Sequence, residues 1–161
     1  MILNKDTASK KIRRMALEIA EKNFDKDHLI LIGIKENGVV IARKVAEYLK
    51  EVFQGTLQLV ELSLDKKKPT DIALHETVEF NGKSVIIIDD VANSGKTILY
   101  ALKPILYQFP AQIETLVLVE RTHKKFPIAI DYVGMSVSTT LQQNIIVSVK
   151  DNEVEMAYIS E

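Results

Sequence analysis

The sequence predicts an α/β protein, a doubly wound and mostly parallel sheet with a small C-terminal β-rich hood. Three observations carry this expectation. Short, largely aliphatic runs at 29–32, 85–88 and 115–119 have the look of strands buried on both faces. Stretches with apolar residues at helical spacing separate several of them. The chain closes with two further apolar segments around Asp151-Asn152, which read as a hairpin.

A length of 161 residues gives room for one domain, 1–161, with a sizeable core. A content of 47% hydrophobic and 27% charged residues excludes disorder as the default. With Lys+Arg 21 against Asp+Glu 22, the chain lacks the basic excess of a dedicated nucleic-acid binder. The absence of cysteine excludes a disulfide framework, a thiolate metal site and a cysteine nucleophile. Aliphatic runs such as 85–88 fall far short of the roughly 20 residues that span a bilayer. The start of the chain, 1–6, has no export pattern either. The expected location is cytoplasmic, without a membrane partner.

In order, Ile12, Met15, Ala16, Ile19 and Ala20 make 6–24 an amphipathic helix, capped by Asp6 or Thr7. A strand at 29–32, a loop at 33–38 and a helix at 39–52 follow. The strand 57–64 ends in the polar stretch 65–71, and 77–80 reads as a strand end with a turn at Asn81-Gly82. After the third buried run at 85–88 come a loop and a helix over about 95–108, stopped before Pro110. Strands at 115–119 and 130–133 precede the hairpin of 145–149 and 154–159. Sheets of this kind bind ligands at the carboxyl ends of their strands, so chemistry is expected after Ile34, Leu64, Ile88 and Val119.

The sharpest motif is Val85-Ile86-Ile87-Ile88-Asp89-Asp90-Val91-Ala92-Asn93-Ser94-Gly95-Lys96-Thr97. Two carboxylates end a buried strand, and a small turn then opens a helix. Free backbone N–H groups there, with the Ser94 and Thr97 hydroxyls, suit a phosphate monoester. Carboxylates beside that pocket repel phosphate and instead suit neighbouring ribose hydroxyls. A nucleotide-hydrolysing P-loop is excluded, because the glycine it needs five positions before Gly95 is Asp90.

This segment resembles the phosphoribosyl-diphosphate (PRPP) motif of type I phosphoribosyltransferases, with Ser94 where threonine is usual. Average residue usage puts chance occurrence on the order of 10⁻⁷ per position. The resemblance continues through Ile12-Arg13-Arg14-Met15-Ala16, Leu31-Ile32-Gly33-Ile34-Lys35-Glu36-Asn37-Gly38, residues 117–128 and Asp131-Tyr132-Val133-Gly134. It is closest to the branch of pyrimidine-operon attenuation regulators that are also uracil phosphoribosyltransferases. The resemblance implies that Asp89 and Asp90 hold the PRPP ribose and that Ala92, Asn93, Ser94, Gly95, Lys96 and Thr97 hold its 5-phosphate. Lys35, Glu36, Asn37 and Gly38 would bind pyrophosphate, and Arg121, Tyr132 and Val133 the base. Mg²⁺ would be carried mainly by substrate oxygens with Asp89 and Asp90 nearby. The implied reaction transfers 5-phosphoribosyl to a nucleobase, uracil to UMP, in a homodimer or higher homo-oligomer.

The chain also departs from its relatives. Asn37 stands where this branch has an arginine. Asn93 replaces the aspartate, and Glu120 the lysine, of purine-type enzymes, and an amide is no general base at neutral pH, which counts against a purine-base enzyme. The lid expected at 65–71 is short and lacks the branch's tyrosine-arginine pair, leaving Lys66, Lys67 and Lys68 as candidate pyrophosphate contacts beside the plainer reading of a solvated charge run. The rival function is a UMP- or PRPP-sensing regulator that binds mRNA through Lys10, Arg13 and Arg14, with little or no catalysis. His28 and His75 have no partner at metal-ligand spacing.

Overall fold

The computed structural model describes residues 1–161. Its elements are β1 (Leu3–Asn4), α1 (Lys5–Lys22), β2 (His28–Ile34), α2 (Asn37–Val52), β3 (Thr56–Leu64), β4 (Ile72–Leu74), β5 (Ser84–Ala92), α3 (Lys96–Ala101), β6 (Gln112–Arg121), β7 (Tyr132–Val137), β8 (Asn144–Lys150) and β9 (Glu153–Ser160). Six strands form one sheet in the order β4-β3-β2-β5-β6-β7, parallel except for β4. The expected doubly wound α/β architecture is present.

The aliphatic runs are explained by burial on both sides of this sheet. Leu29, Leu31, Ile86, Ile88, Leu116 and Leu118 pack with α1 and α2. The alternate residues Ile30, Ile32, Val85, Ile87 and Val117 pack with Ile98, Ala101 and Ile105 on the other face. Alternation by two along a strand covered on both sides leaves no polar position to betray a face.

The hood is an antiparallel sheet of order β1-β9-β8, so the N-terminal Leu3–Asn4 completes what the C-terminal hairpin begins. Asp151 and Asn152 turn the hairpin with φ of 53° and 59°, the two left-handed residues of a primed turn. Glu153 ties this sheet to the body through Lys5 at 2.6 Å and Lys44 at 3.3 Å.

Four expectations need correction. The cap of α1 is neither Asp6 nor Thr7 but Asn4, whose side-chain oxygen accepts the Thr7 N–H at 2.8 Å. The third strand does not stop at Ile88 but runs to Ala92, because Val91 and Ala92 keep their register with Val119 and Glu120. The helix expected to reach Gln108 ends at Ala101, and turns bonded three residues back follow, such as Lys103 N–H to Tyr100 O. Pro104 lacks the N–H that would continue the helix and disfavours helical geometry at Lys103. Residues 77–80 form no ladder, since Gln108 binds the Phe80 N–H and the Val78 carbonyl from the side. β1 and β4 are unanticipated strands, and the pairing of β4 with β3 makes 65–71 the tip of a hairpin. No helix is long and apolar enough to cross a membrane.

Candidate functional site

β2 and β5 are neighbours, and the chain leaves them in opposite directions, through α2 to β3 and through α3 to β6. Their carboxyl ends therefore frame a crevice. Gly38 closes its floor. A Cβ there would lie 2.7 Å from the Ile88 carbonyl and 3.0 Å from the Asp89 Cα, so only glycine lets the start of α2 press against β5. No side chain caps the α2 N-terminus, where the Val39 N–H binds the Glu36 carbonyl at 3.3 Å.

Asp89 is fully buried and Asp90 is 8% exposed. Burial first, and the neighbouring Asp90 charge second, push the Asp89 carboxyl well above the usual carboxylate range. Lys66, reaching in from the β3–β4 hairpin, opposes that shift from 3.4 Å. For Lys66 itself, burial works against the charge. The two carboxylates outweigh it, and its pKa rises.

Asn37 donates one amide hydrogen to Asp90 Oδ2 at 3.0 Å and the other to the Val147 carbonyl of β8 at 2.9 Å. One side chain thus joins the crevice loop, the acid pair and the hood. Asn37→Asp should break both bonds and set a carboxylate against Asp90. A loss of about 2–4 kcal/mol is expected, from two unpaired acceptors at roughly 1–2 kcal/mol each. Urea unfolding of the variant checks this, and an unchanged midpoint would count against the bridge.

Beyond Asp90 the chain turns through Asn93, Ser94 and Gly95. Gly95 has φ +86°, and a Cβ on it would strike Ile128 Cγ2 at 2.5 Å, so the turn is held beneath the segment after β6. Lys125 and Phe126 N–H groups both bind the Ser94 carbonyl at 3.1 Å. A cleft of about 240 Å³ results, lined by Asn37, Lys66, Asp90, residues 91–98 and the hood residues Ile145, Ile146 and Val147.

A second cavity of about 450 Å³ shares Asn93 and Ser94 with the first. Arg121, His123, Lys124, Lys125, Thr139, Thr140, Leu141 and Asn144 complete its walls, with no acidic side chain among them. Asn93 Oδ1, Arg121 Nε and Thr139 Oγ1 are buried there without a partner. Arg121 is anchored by a bond to the Gln143 carbonyl, and Glu120 is occupied by Lys124 and Ser136.

The structure therefore brings Asp90, residues 92–97, Asn37 and Arg121 to the two cavities, with Asp89 and Gly38 directly behind. Lys35 and Glu36 are exposed at the rim, joined by a cis peptide bond. Tyr132 and Val133 are corrections. Tyr132 is fully buried, with its hydroxyl 2.9 Å from Glu114 and 3.3 Å from Asn23, and lines neither cavity. Burial first, and Glu114 second, push its phenol above the usual range. Val133 pairs with Val117 in the sheet and gives its carbonyl to Arg14. The sequence reading missed Thr139, Asn144 and the β8 residues, whose polar or alternating pattern carries no chemical signature.

The model of the phosphoribosyl transferase domain matches residues 1–153. The pyrimidine operon regulatory protein of Lactococcus lactis subsp. lactis (strain IL1403) is 34% identical, with 94% of this chain and 91% of that protein covered. The bifunctional protein PyrR of Streptococcus mutans serotype c is 36% identical, covering 94% and 92%. Among solved structures, the hypoxanthine phosphoribosyltransferase of Trypanosoma cruzi superposes with a TM-score of 0.80 at 16% identity, covering 97% and 94%. The chain belongs to the phosphoribosyl transferase domain family.

Proposed function

We propose that the protein binds PRPP with Mg²⁺ and transfers its 5-phosphoribosyl group to a nucleobase with release of pyrophosphate, making UMP from uracil. The observation that carries this is the junction of the two cavities at Asn93-Ser94, with an acid pair on one side and a donor-lined pocket on the other. Asp89 and Asp90 accept the ribose hydroxyls, and residues 92–97 give backbone N–H groups and hydroxyls to the 5-phosphate. The uncapped start of α2 at Asn37 and Gly38, with Lys35 and Glu36 at the rim, receives pyrophosphate.

Two carboxylates are hard oxygen donors of the kind Mg²⁺ takes. No group of three His, Asp or Glu side chains gathers to cage it, so the site fits an ion carried mainly by substrate oxygens and water. Near Asp89 and Asp90 such an ion would supply charge neutralisation for the leaving pyrophosphate. The protein's own part is positioning and charge stabilisation around C1 of the ribose.

Uracil is favoured over purines because Asn93 cannot take a proton as a base. The second pocket, walled by Arg121, Lys124, Lys125 and His123, suits any base that presents carbonyl oxygens, oxopurines included. Pyrophosphate release with uracil, hypoxanthine, guanine and xanthine in parallel tests the reading. Turnover with uracil alone is expected, whereas a purine substrate would overturn the role given to Asn93. The reading also includes self-association as a homodimer or higher homo-oligomer, which sedimentation checks.

A second reading, an mRNA-binding regulator, draws support from the name of the L. lactis relative, a pyrimidine operon regulatory protein. Of its candidate residues, Lys10 pairs with Asp6 at 3.1 Å. Arg14 binds the Val133 and Gly134 carbonyls and Glu18, bracing α1 on β7. Only Arg13 is unengaged. Salt-dependent binding of a pyrimidine-gene leader RNA would support regulation, and its absence at low salt would remove it.

A further inference from the structure

Lys66 stands in an unusual place. The tip of the β3–β4 hairpin, 65–71, extends past the end of β3, and β2 lies between β3 and β5. Lys66 therefore spans the end of β2 to reach the acids. Its Nζ is 3.4 Å from both Asp89 oxygens and 3.7 Å from Asp90 Oδ1. Its neighbours Lys67 and Lys68 are exposed and pair with no carboxylate.

Three of the four acid oxygens also accept a hydrogen bond from the protein. Asp89 Oδ1 accepts the Asp90 N–H, Asp90 Oδ1 the Val91 N–H, and Asp90 Oδ2 the Asn37 amide. Asp89 Oδ2 meets only the ammonium. Two adjacent carboxylates, one without exposed surface, are costly without a cation. We propose that Lys66 is the resting counter-ion of Asp89 and Asp90, displaced when ribose hydroxyls take the same oxygens and released toward the pyrophosphate end of the cleft. Lys66 and Asn37 line that cleft together, so an ammonium leaving the acids already faces the start of α2. The exchange rests on the ribose-site reading given above. It explains how a short, tyrosine-free hairpin serves as a lid, since the ligand that needs the cation also sets it free.

Amine acylation followed by mass spectrometry reads this directly on the full chain, with Lys67 and Lys68 as internal references. In the free protein Lys66 should react several-fold more slowly than either. Ribose 5-phosphate, which carries hydroxyls but no pyrophosphate, should raise Lys66 to the rate of its neighbours. PRPP with Mg²⁺ should slow it again. An unchanged Lys66 rate, with calorimetry showing ribose 5-phosphate bound in the same solution, overturns the exchange and leaves the site reading intact. Failure of ribose 5-phosphate to bind at all overturns both. As a second measurement, Lys66→Met should weaken PRPP about tenfold relative to ribose 5-phosphate, the worth of one charged contact. Equal losses for both ligands would assign Lys66 a merely structural role and sink the proposal.

Discussion

Asp89→Asn combined with Asp90→Asn should abolish PRPP binding and leave the ligand-free fold at least as stable as before. The two effects have one cause. Each carboxylate–hydroxyl bond is worth roughly 1.5–3 kcal/mol, so losing both costs about 10² to 10⁴ in affinity. The same carboxylates burden the empty protein, because Asp89 has no exposed surface and sits beside a like charge. Its pKa is raised well above the reference 3.8, so the folded chain keeps a proton that the unfolded chain has lost. Stability therefore falls as pH climbs from the unfolded value through the raised folded value, and levels off above it. The asparagine pair cannot titrate, and its stability should be flatter across that window. Lys66, 45% exposed, is left in water at little cost. Calorimetry with PRPP and thermal melts between pH 4 and 8 check both halves. Wild-type affinity in the variant would move the ribose site elsewhere, and a lower melting temperature near neutral pH would show that Asp89 supports the empty fold.

The acid pair could be read from the sequence because its signal is local: a buried strand, two acids and a small turn lie within thirteen residues, Val85 to Thr97. The sheet was readable for a related reason, since strands covered on both faces must be aliphatic throughout. What escaped depends on partners far along the chain. Tyr132 looked like a base contact because nothing near it in sequence reveals Glu114 and Asn23, which take its hydroxyl into the core. Asn37 looked like a lost charge. Its value lies in Asp90 and Val147, 53 and 110 residues away. Arg14, a candidate for an RNA-binding face only under the rival reading, meets the Val133 and Gly134 carbonyls across 119 and 120 residues. Pro104 is a local signal against a longer α3, which ends at Ala101.

Gly38→Ala should destabilise the protein by about 1–3 kcal/mol, the usual cost of overpacking, and weaken PRPP at least about tenfold. The sign is informative because the residue lies in the first turn of α2, where alanine is normally the better helix former by about 1 kcal/mol. Here the added methyl meets the Ile88 carbonyl at 2.7 Å and the Asp89 Cα at 3.0 Å, both backbone atoms of a central strand that cannot turn aside. The helix start must move instead. That carries Asn37 away from Asp90 and Val147, so the acid pair loses its brace and the hood its tie in a single shift. Gly82→Ala is the matched control. Unlike Gly38 it lies at positive φ, +70°, and meets nothing within 4 Å, so it should cost about 1 kcal/mol of backbone strain and leave affinity unchanged. Urea unfolding and PRPP calorimetry on the two variants separate strain from crowding. If Gly38→Ala melts and binds like the wild type, the contact between α2 and the end of β5 is not what shapes the crevice.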